Sequence, residues 1–402
     1  MFMMNDELRQ FDSIRPFEPE ELPEVYERLA ADKQFRAVIA YLYPQVPFEA
    51  IVMKMRGCKT NLEFQRTFCY TFLEELLAKA STGCNLDASA IDTQRRYTFV
   101  SNHRDIVLDS ALLDKLLFDA GFTTTCEIAI GDNLLSLPWV KDLVRVNKSF
   151  IVERSLQPRQ MLMASKRLSE YMHYAIARKN ENIWIAQREG RAKDSNDRTQ
   201  PAILKMMAMA AAHGSDDKVT TPVERLAQLH IVPLAISYEY DPCDFLKAAE
   251  FQLKRDIEGW KKSAQDDIVS MRTGIMGYKG QIHYQCAACI DEYLGSLPAD
   301  ISKTEVFDVI ARHIDEEIHR NYRLFASNYV ALDLLEGNNA HTAMYTPDEK
   351  TAFIQYIDGQ LAKIDIPGKD EPFLRERMLT MYANPARNHE SIKKQDAASA
   401  NG

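Results

Sequence analysis

Between about residue 95 and residue 242 the chain alternates between two hydrophobic periods, and this limits its folds more than any other feature. Short runs rich in β-branched and aromatic residues, RYTFVSN, TTCEIAIG, SFIVER, NIWIAQ and HIVPLAISYEYD, read as strands. Longer segments with helical spacing separate them. DIVLDSALLDKLLFDAG closes on Gly121, and QPRQMLMASKRLSEYMHYAIAR carries Pro158 in its first turn. QPAILKMMAMAAAHG starts with Pro201 and has Gly214 after its end. A helix placed between two strands returns the chain to the same end of the sheet, so neighbouring strands run parallel. The expected fold class is α/β, a mixed, largely parallel sheet flanked by helices.

The flanks follow a different pattern. Residues 1–90 read as a helical N-terminal unit, with TNLEFQRTFCYTFLEELLAKAS opening on Thr60 or Asn61 as N-cap. Residues 91–245 form the α/β core, and 246–385 a mainly helical C-terminal unit in which MGYKGQIHYQ reads as one extra strand. The tail, 386–402, is polar and rich in small residues, so disorder is expected there. No internal repeat is visible.

The chain has 402 residues, 46% hydrophobic and 27% charged, as in globular proteins. No apolar run approaches the roughly 20 residues that span a bilayer. The opening MFMMNDELRQ lacks the basic and apolar regions of a secretory signal, so none is expected. Seven scattered cysteines, an odd number, suit a reducing cytosol. The net charge of −9 is uneven: Lys141–Lys205 holds 14 Lys/Arg against 7 Asp/Glu, or +7, which leaves −16 for the rest. An acidic protein with one basic segment suits an anionic small molecule, an acidic protein or anionic lipid better than long nucleic acid.

SNHRDIVLDSALL places His103, Asp105 and Asp109 just ahead of an apolar helix. A kinase loop would need Asn five residues after Asp105, where Ser110 stands, and the Gly-rich loop and Asp-Phe-Gly are missing. The segment is also readable as a plain helix start, with Asn102 as cap and both aspartates at the positive end. A catalytic reading goes further. Sites in layered α/β folds gather where strand ends meet helix N-termini. A carboxylate there accepts one ring N–H of His103, and the other ring nitrogen takes a proton from an alcohol. Acyl transfer from a thioester to a hydroxyl uses such a base, with donors for the oxyanion and a cationic seat for the acceptor.

At this point the chain resembles the glycerol-3-phosphate and lysophosphatidate acyltransferase superfamily. The family's first motif is His-x4-Asp; NHRDIVLDSALL is similar, with one extra residue before Asp109. The orienting carboxylate is therefore Asp109 by position or Asp105 by proximity. GDNLLSLPWVKDLVRVNKSFIVERS follows the second motif through Gly131, Asp132, Asn133, Leu134, Pro138, Phe150 and Arg154, with Glu153 where the family often has another Arg. AQREGRAKDSNDR follows the third through Arg188, Glu189, Gly190 and Arg191, and departs at Ala192 and Lys193. IVPLAISYEY follows the fourth through Pro233. The resemblance covers about residues 95–242.

It implies that His103 is the base, oriented by Asp109 or Asp105. Arg154 and Arg191 anchor phosphate, because a guanidinium forks onto two oxygens. Lys193 and Arg198 rank second. Gly131 and Gly190 admit the ligand's close approach, and Asn133 belongs to the same binding set. Glu189 either holds the acceptor hydroxyl or braces a neighbouring Arg. The implied donor is acyl-CoA or acyl carrier protein, and the acceptor is glycerol-3-phosphate or 1-acylglycerol-3-phosphate. No cofactor, metal or nucleic acid is called for. The expected location is cytoplasmic, peripheral at the inner membrane surface. AILKMMAMAAAH lines an acyl groove, dips into the bilayer surface or packs in the core. Two rivals remain, an acyltransferase for a lyso-aminolipid or other lysolipid and a non-catalytic lipid-binding relative.

Two other groupings are weak metal signals. Cys286-x-x-Cys289 near His283 reads as small buried thiols, and His313, Glu316 and His319 as a solvated helix face.

Overall fold

A computed structural model of the chain describes residues 7–154, 156–210, 221–302 and 304–400. Seven strands form one sheet: β1 (Gly83–Asp87), β2 (Thr98–Ser101), β3 (Cys126–Gly131), β4 (Ser149–Val152), β5 (Asn182–Ala186), β6 (Ile231–Tyr238) and β7 (Gln281–Cys286). Their spatial order is β1-β7-β6-β2-β5-β3-β4, and every pair is parallel except β6 with β7. This is the α/β layer that the alternation predicts.

The buried runs explain the order. β2, β5 and β6 are Val/Ile/aromatic-rich and almost wholly buried, as central strands covered on both faces must be. Alternate side chains serve opposite faces. Val100, Ile183, Ile185 and Ile231 join Leu168, Tyr171, Leu204, Ile310 and Ile314 on one side. Phe99, Trp184, Val232 and Leu234 join Leu112, Leu113, Leu116 and Leu117 on the other.

The sheet draws on chain outside 91–245. β1 has only one large apolar residue and is half-exposed at the edge, so its sequence carries little strand signal. The opposite edge, β4, is covered by the N-terminal segment: the Ile151 N–H donates to the Ile14 carbonyl (2.9 Å). Helices between Leu22 and Ala80 pack on Trp139 and Leu143 of the helix Pro138–Val146. Thr60 is the N-cap, accepting from the Glu63 N–H at 3.1 Å.

The tail expectation is corrected. Residues Glu371–Ala400 form one helix that continues through Pro385. Composition misled because the polar side chains of this stretch have distant partners. Asp396 pairs with Arg320 (2.9 Å), Glu390 with His341 (2.8 Å), and Asn388 accepts from Arg198 (3.0 Å), while Ile392 is buried. The helix Pro201–Met207 is shorter than its pattern implied, and the Gly214 closure lies outside the described residues.

Candidate active site

β2 ends at Ser101, and the helix Leu108–Asp119 begins seven positions later. The loop between them is pinned. Asn102 does not cap the helix; its side chain clamps the β6 backbone, donating to the Ile236 carbonyl (2.9 Å) and accepting from the Ile236 N–H (2.8 Å). The Arg104 carbonyl accepts from the buried Lys247 ammonium at 3.3 Å.

His103 lies on this loop with its side chain 13% exposed, and its Nδ1 is 2.8 Å from Asp109 Oδ2. That carboxylate is fully buried in the helix's first turn and also accepts the backbone N–H groups of Arg104 (2.6 Å) and Asp105 (3.0 Å). Two amides at the N-terminal end of the helix hold it and aim it at the ring. With Nδ1–H given to Asp109, the lone pair of Nε2 is free for a proton. The Trp184 ring meets the imidazole edge-on, centroids 5.7 Å apart.

Asp105 does not orient His103. Its Oδ1 accepts from Val107 N–H and Leu108 N–H, both at 2.9 Å, so it caps the helix. A Cβ at Gly274 would come within 1.9 Å of its Oδ2, so glycine lets a neighbouring helix press on this cap. Burial, reinforced by the Asp109 charge, pushes the Asp105 carboxyl above its usual range.

His103 opens into a cleft of about 710 Å³. Gly131, Asn133 and Arg154 line it from the β3 and β4 ends, and Glu189, Gly190, Arg191 and Lys193 from the loop after β5. The second and third motif segments thus meet the first across one cavity. Arg154 donates to Glu189 at 3.4 Å, which gives Glu189 a bracing contact. A Cβ on Gly131 would sit 3.0 Å from the Arg154 guanidinium carbon, so glycine makes room for it. Gly190 adopts φ +67°, a left-handed turn that glycine takes without strain. Arg191 is buried, with Nη1 lacking a protein partner. Lys193 pairs with Glu250 at 3.0 Å, and burial, with Arg191 beside it, pulls its ammonium down to about 8. Arg198 stands apart, bonded to His319 and Asn388 rather than lining the cleft.

The rest of the lining is mainly apolar, including Ile128, Leu135, Val140, Ile151 and Leu168. Ala202, Ile203 and Met206 of AILKMM line the cleft, while Leu204 and Met207 are in the core. Two wall segments come from outside residues 95–242: Ile14, and Asp267, Ile268 and Met271 from the helix Ala264–Met276. No local pattern in either stretch marks it as cavity wall.

The weaker groupings dissolve. His283 meets Asn85 and Gln285, Cys286 is buried in the sheet, His313 stacks on Tyr293 at 3.5 Å, and His319 faces Arg198.

The cleft therefore offers a carboxylate-held imidazole, a cluster of cations and an apolar wall. Residues 85–237 match the family model described as Acyltransferase. No curated protein matches the chain. A solved structure with some likeness is the 1-acyl-sn-glycerophosphate (LPA) acyltransferase PlsC of Thermotoga maritima, at 11% identity and TM-score 0.35, covering 75% of this chain and 97% of that one.

Proposed function

We propose that the chain, whose residues 85–237 match the Acyltransferase family model, moves a fatty acyl group from acyl-CoA or acyl carrier protein to a hydroxyl of glycerol-3-phosphate or 1-acylglycerol-3-phosphate. His103 Nε2 takes the hydroxyl proton as the oxygen attacks the thioester carbonyl. Asp109 stabilises the imidazolium that forms. The tetrahedral intermediate then expels the thiol, which receives the proton from His103, and the ester is released. Arg154 and Arg191 hold the acceptor phosphate, with Lys193 behind them. Asn133, Gly131 and Gly190 shape the seat beside it, and Glu189 fixes Arg154. The acyl chain lies along the apolar wall.

The single observation that carries this reading is that the His103–Asp109 pair shares one cleft of about 710 Å³ with Arg154 and Arg191, and that the remaining wall is mainly apolar. Peripheral contact with lipid is supported by side chains beside the cleft. Leu162 and Met163, 62% and 68% exposed, follow the wall residue Met161, and the wall residue Ile268 is 52% exposed. Among the described residues no helix is long and apolar enough to cross a membrane.

The test is a panel of acyl-CoA and acyl carrier protein donors against phosphorylated and phosphate-free acceptors, with products identified by mass. His103→Ala should lower turnover by on the order of 10²–10⁴. Undiminished turnover in that variant would refute the base assignment. Lipid binding without turnover by the wild type would establish the binding-protein alternative. Preference for phosphate-free acceptors would remove the role of Arg154 and Arg191.

A further inference from the structure

At the end of the sheet remote from His103, three side chains with metal-ligand chemistry converge. Ligand atoms of His230, Cys289 and Asp291 lie within 4.8 Å of one another. His230 precedes β6, whereas His103 follows the other end of its parallel neighbour β2, so the two sites are separated by the length of the strands. We propose that His230, Cys289 and Asp291 bind a divalent cation of the zinc class, which clasps the start of β6 to the chain leaving β7.

The scaffold is rigid on both sides of the gap. β7 runs antiparallel to β6, so the end of one strand meets the beginning of the other. The pairing continues past β7 through Ala287 N–H to the Pro233 carbonyl (2.9 Å) and Ile290 N–H to the Ile231 carbonyl (3.0 Å). Cys289 and Asp291 flank that last contact. His230 is held at φ +47°, a left-handed conformation costing on the order of 1 kcal/mol in a non-glycine residue, and its carbonyl accepts from the Thr98 N–H at 3.2 Å.

The donor atoms suit zinc. One imidazole nitrogen, one sulfur and one carboxylate match its mixed N/S/O preference, whereas magnesium and calcium take all-oxygen sets. His230 Nδ1 and Asp291 Oδ2 are 2.6 Å apart. Asp291 Oδ1 is buried and has no hydrogen-bond partner by distance among the described residues, and the Cys289 thiol is the side chain beside this carboxylate. Binding releases the thiol proton to solvent, while the neutral imidazole keeps its single proton on Nε2 and turns its Nδ1 lone pair to the metal. Thiolate and carboxylate then neutralise the dication. A fourth position faces an adjoining cavity of about 630 Å³, lined by both His230 and Asp291, with room for water. Arg95 opposes the cation: its Nη2 is 3.2 Å from His230 Nδ1 and 3.5 Å from Asp291 Oδ2. Its side chain is half-exposed and can swing to solvent.

The experiment is titration of the full-length, chelator-stripped chain with Co²⁺ under anaerobic conditions. One equivalent should produce a thiolate-to-cobalt band in the near ultraviolet and the intense visible bands of four-coordinate cobalt, and Zn²⁺ should displace it. Cys289→Ser should abolish the near-ultraviolet band, and Cys84→Ser should leave it intact. His230→Gln and Asp291→Asn should each weaken affinity by about tenfold or more. Arg95→Ala should tighten it several-fold by removing a like charge. Circular dichroism of each variant checks folding. Because the site is remote from the cleft, acyl transfer by Cys289→Ser should stay within about twofold of wild type. Absence of a thiolate band in the wild type, or its survival in Cys289→Ser, would overturn the proposal.

Discussion

Asp105 and Asp109 stand four positions apart, yet only Asp109 reaches the imidazole. The difference lies in geometry that spacing does not encode: Asp105 reaches forward onto the amides of 107 and 108, and Asp109 reaches back from the first helical turn to Nδ1 of His103. Asp109→Asn keeps the shape but removes the charge that stabilises an imidazolium, so kcat should fall by on the order of 10²–10⁴. Asp105→Ala loses a cap and should cost about 1 kcal/mol in urea unfolding while retaining most of its kcat. The reverse pattern would exchange their roles. Gly131 yields a second prediction. In Gly131→Ala the new methyl would sit 2.5 Å from Asn133 Oδ1 and 3.0 Å from the Arg154 guanidinium carbon, both on side chains free to shift. The fold should survive, whereas KM for a phosphorylated acceptor should rise about tenfold, the worth of one weakened charge-assisted hydrogen bond. Donor KM should be unchanged, and a rise in donor KM alone would assign Gly131 to the thioester side. His103, Arg154 and Arg191 were legible because their chemistry travels with short local motifs. The choice between the carboxylates was not, because it depends on which amides each oxygen faces.

Elements were legible in proportion to how far burial alone determines them. Strands β2 to β6 are buried and rich in β-branched and aromatic residues, so their composition announces them. β1, reading GCNLD, forms because β7 offers it a parallel partner, a tertiary fact invisible locally. The helix Glu371–Ala400 escapes composition for the same reason: its polar side chains are matched by Arg198, Arg320 and His341 elsewhere in the chain. His319 belongs to that contact, its carbonyl accepting from the His389 ring at 2.9 Å. Burial, with Arg198 and His389 beside it, pulls its imidazole from 6.5 down to about 3. A histidine with a folded-state value below its unfolded value binds its proton first in the unfolded chain. Its neutral form therefore supports the fold above pH 6.5, and stability drains as pH falls from about 6.5 toward 3. The slope from this group is at most about 1.4 kcal/mol per pH unit. His319→Gln does not titrate, so urea unfolding at pH 7.5, 6.5 and 5.5 should show the wild type losing ground to the variant with acidification. A difference that stays constant across that range would show that His319 does not titrate on unfolding.

At the scale of the whole molecule, the cleft belongs to no single segment. The core supplies the imidazole and guanidinium groups, the N-terminal segment contributes Ile14, and the helix Ala264–Met276 contributes Ile268 and Met271. The flanking units that carry no chemical motif thus complete the apolar wall, and Lys247 from the C-terminal side pins the His103 loop through the Arg104 carbonyl. Exposed Ile268 lines this cavity and exposed Leu162 and Met163 follow its wall residue Met161, within a protein whose basic surplus falls between residues 141 and 205. An anionic bilayer matches both features: the apolar side chains leave water, and lipid charge meets the basic segment. Burying two large apolar side chains contributes on the order of 3 kcal/mol, or about a hundredfold in partitioning. The double variant Leu162→Glu, Met163→Glu should therefore sediment poorly with vesicles containing anionic lipid. With a water-soluble short-chain donor it should retain its kcat, because neither side chain is among those lining the cleft. High salt should weaken wild-type sedimentation without abolishing it, since screening removes the charge contribution and leaves the apolar one. Equal sedimentation of variant and wild type would move lipid contact away from this rim. Equal loss of kcat on the short-chain donor would instead assign these residues to the substrate path.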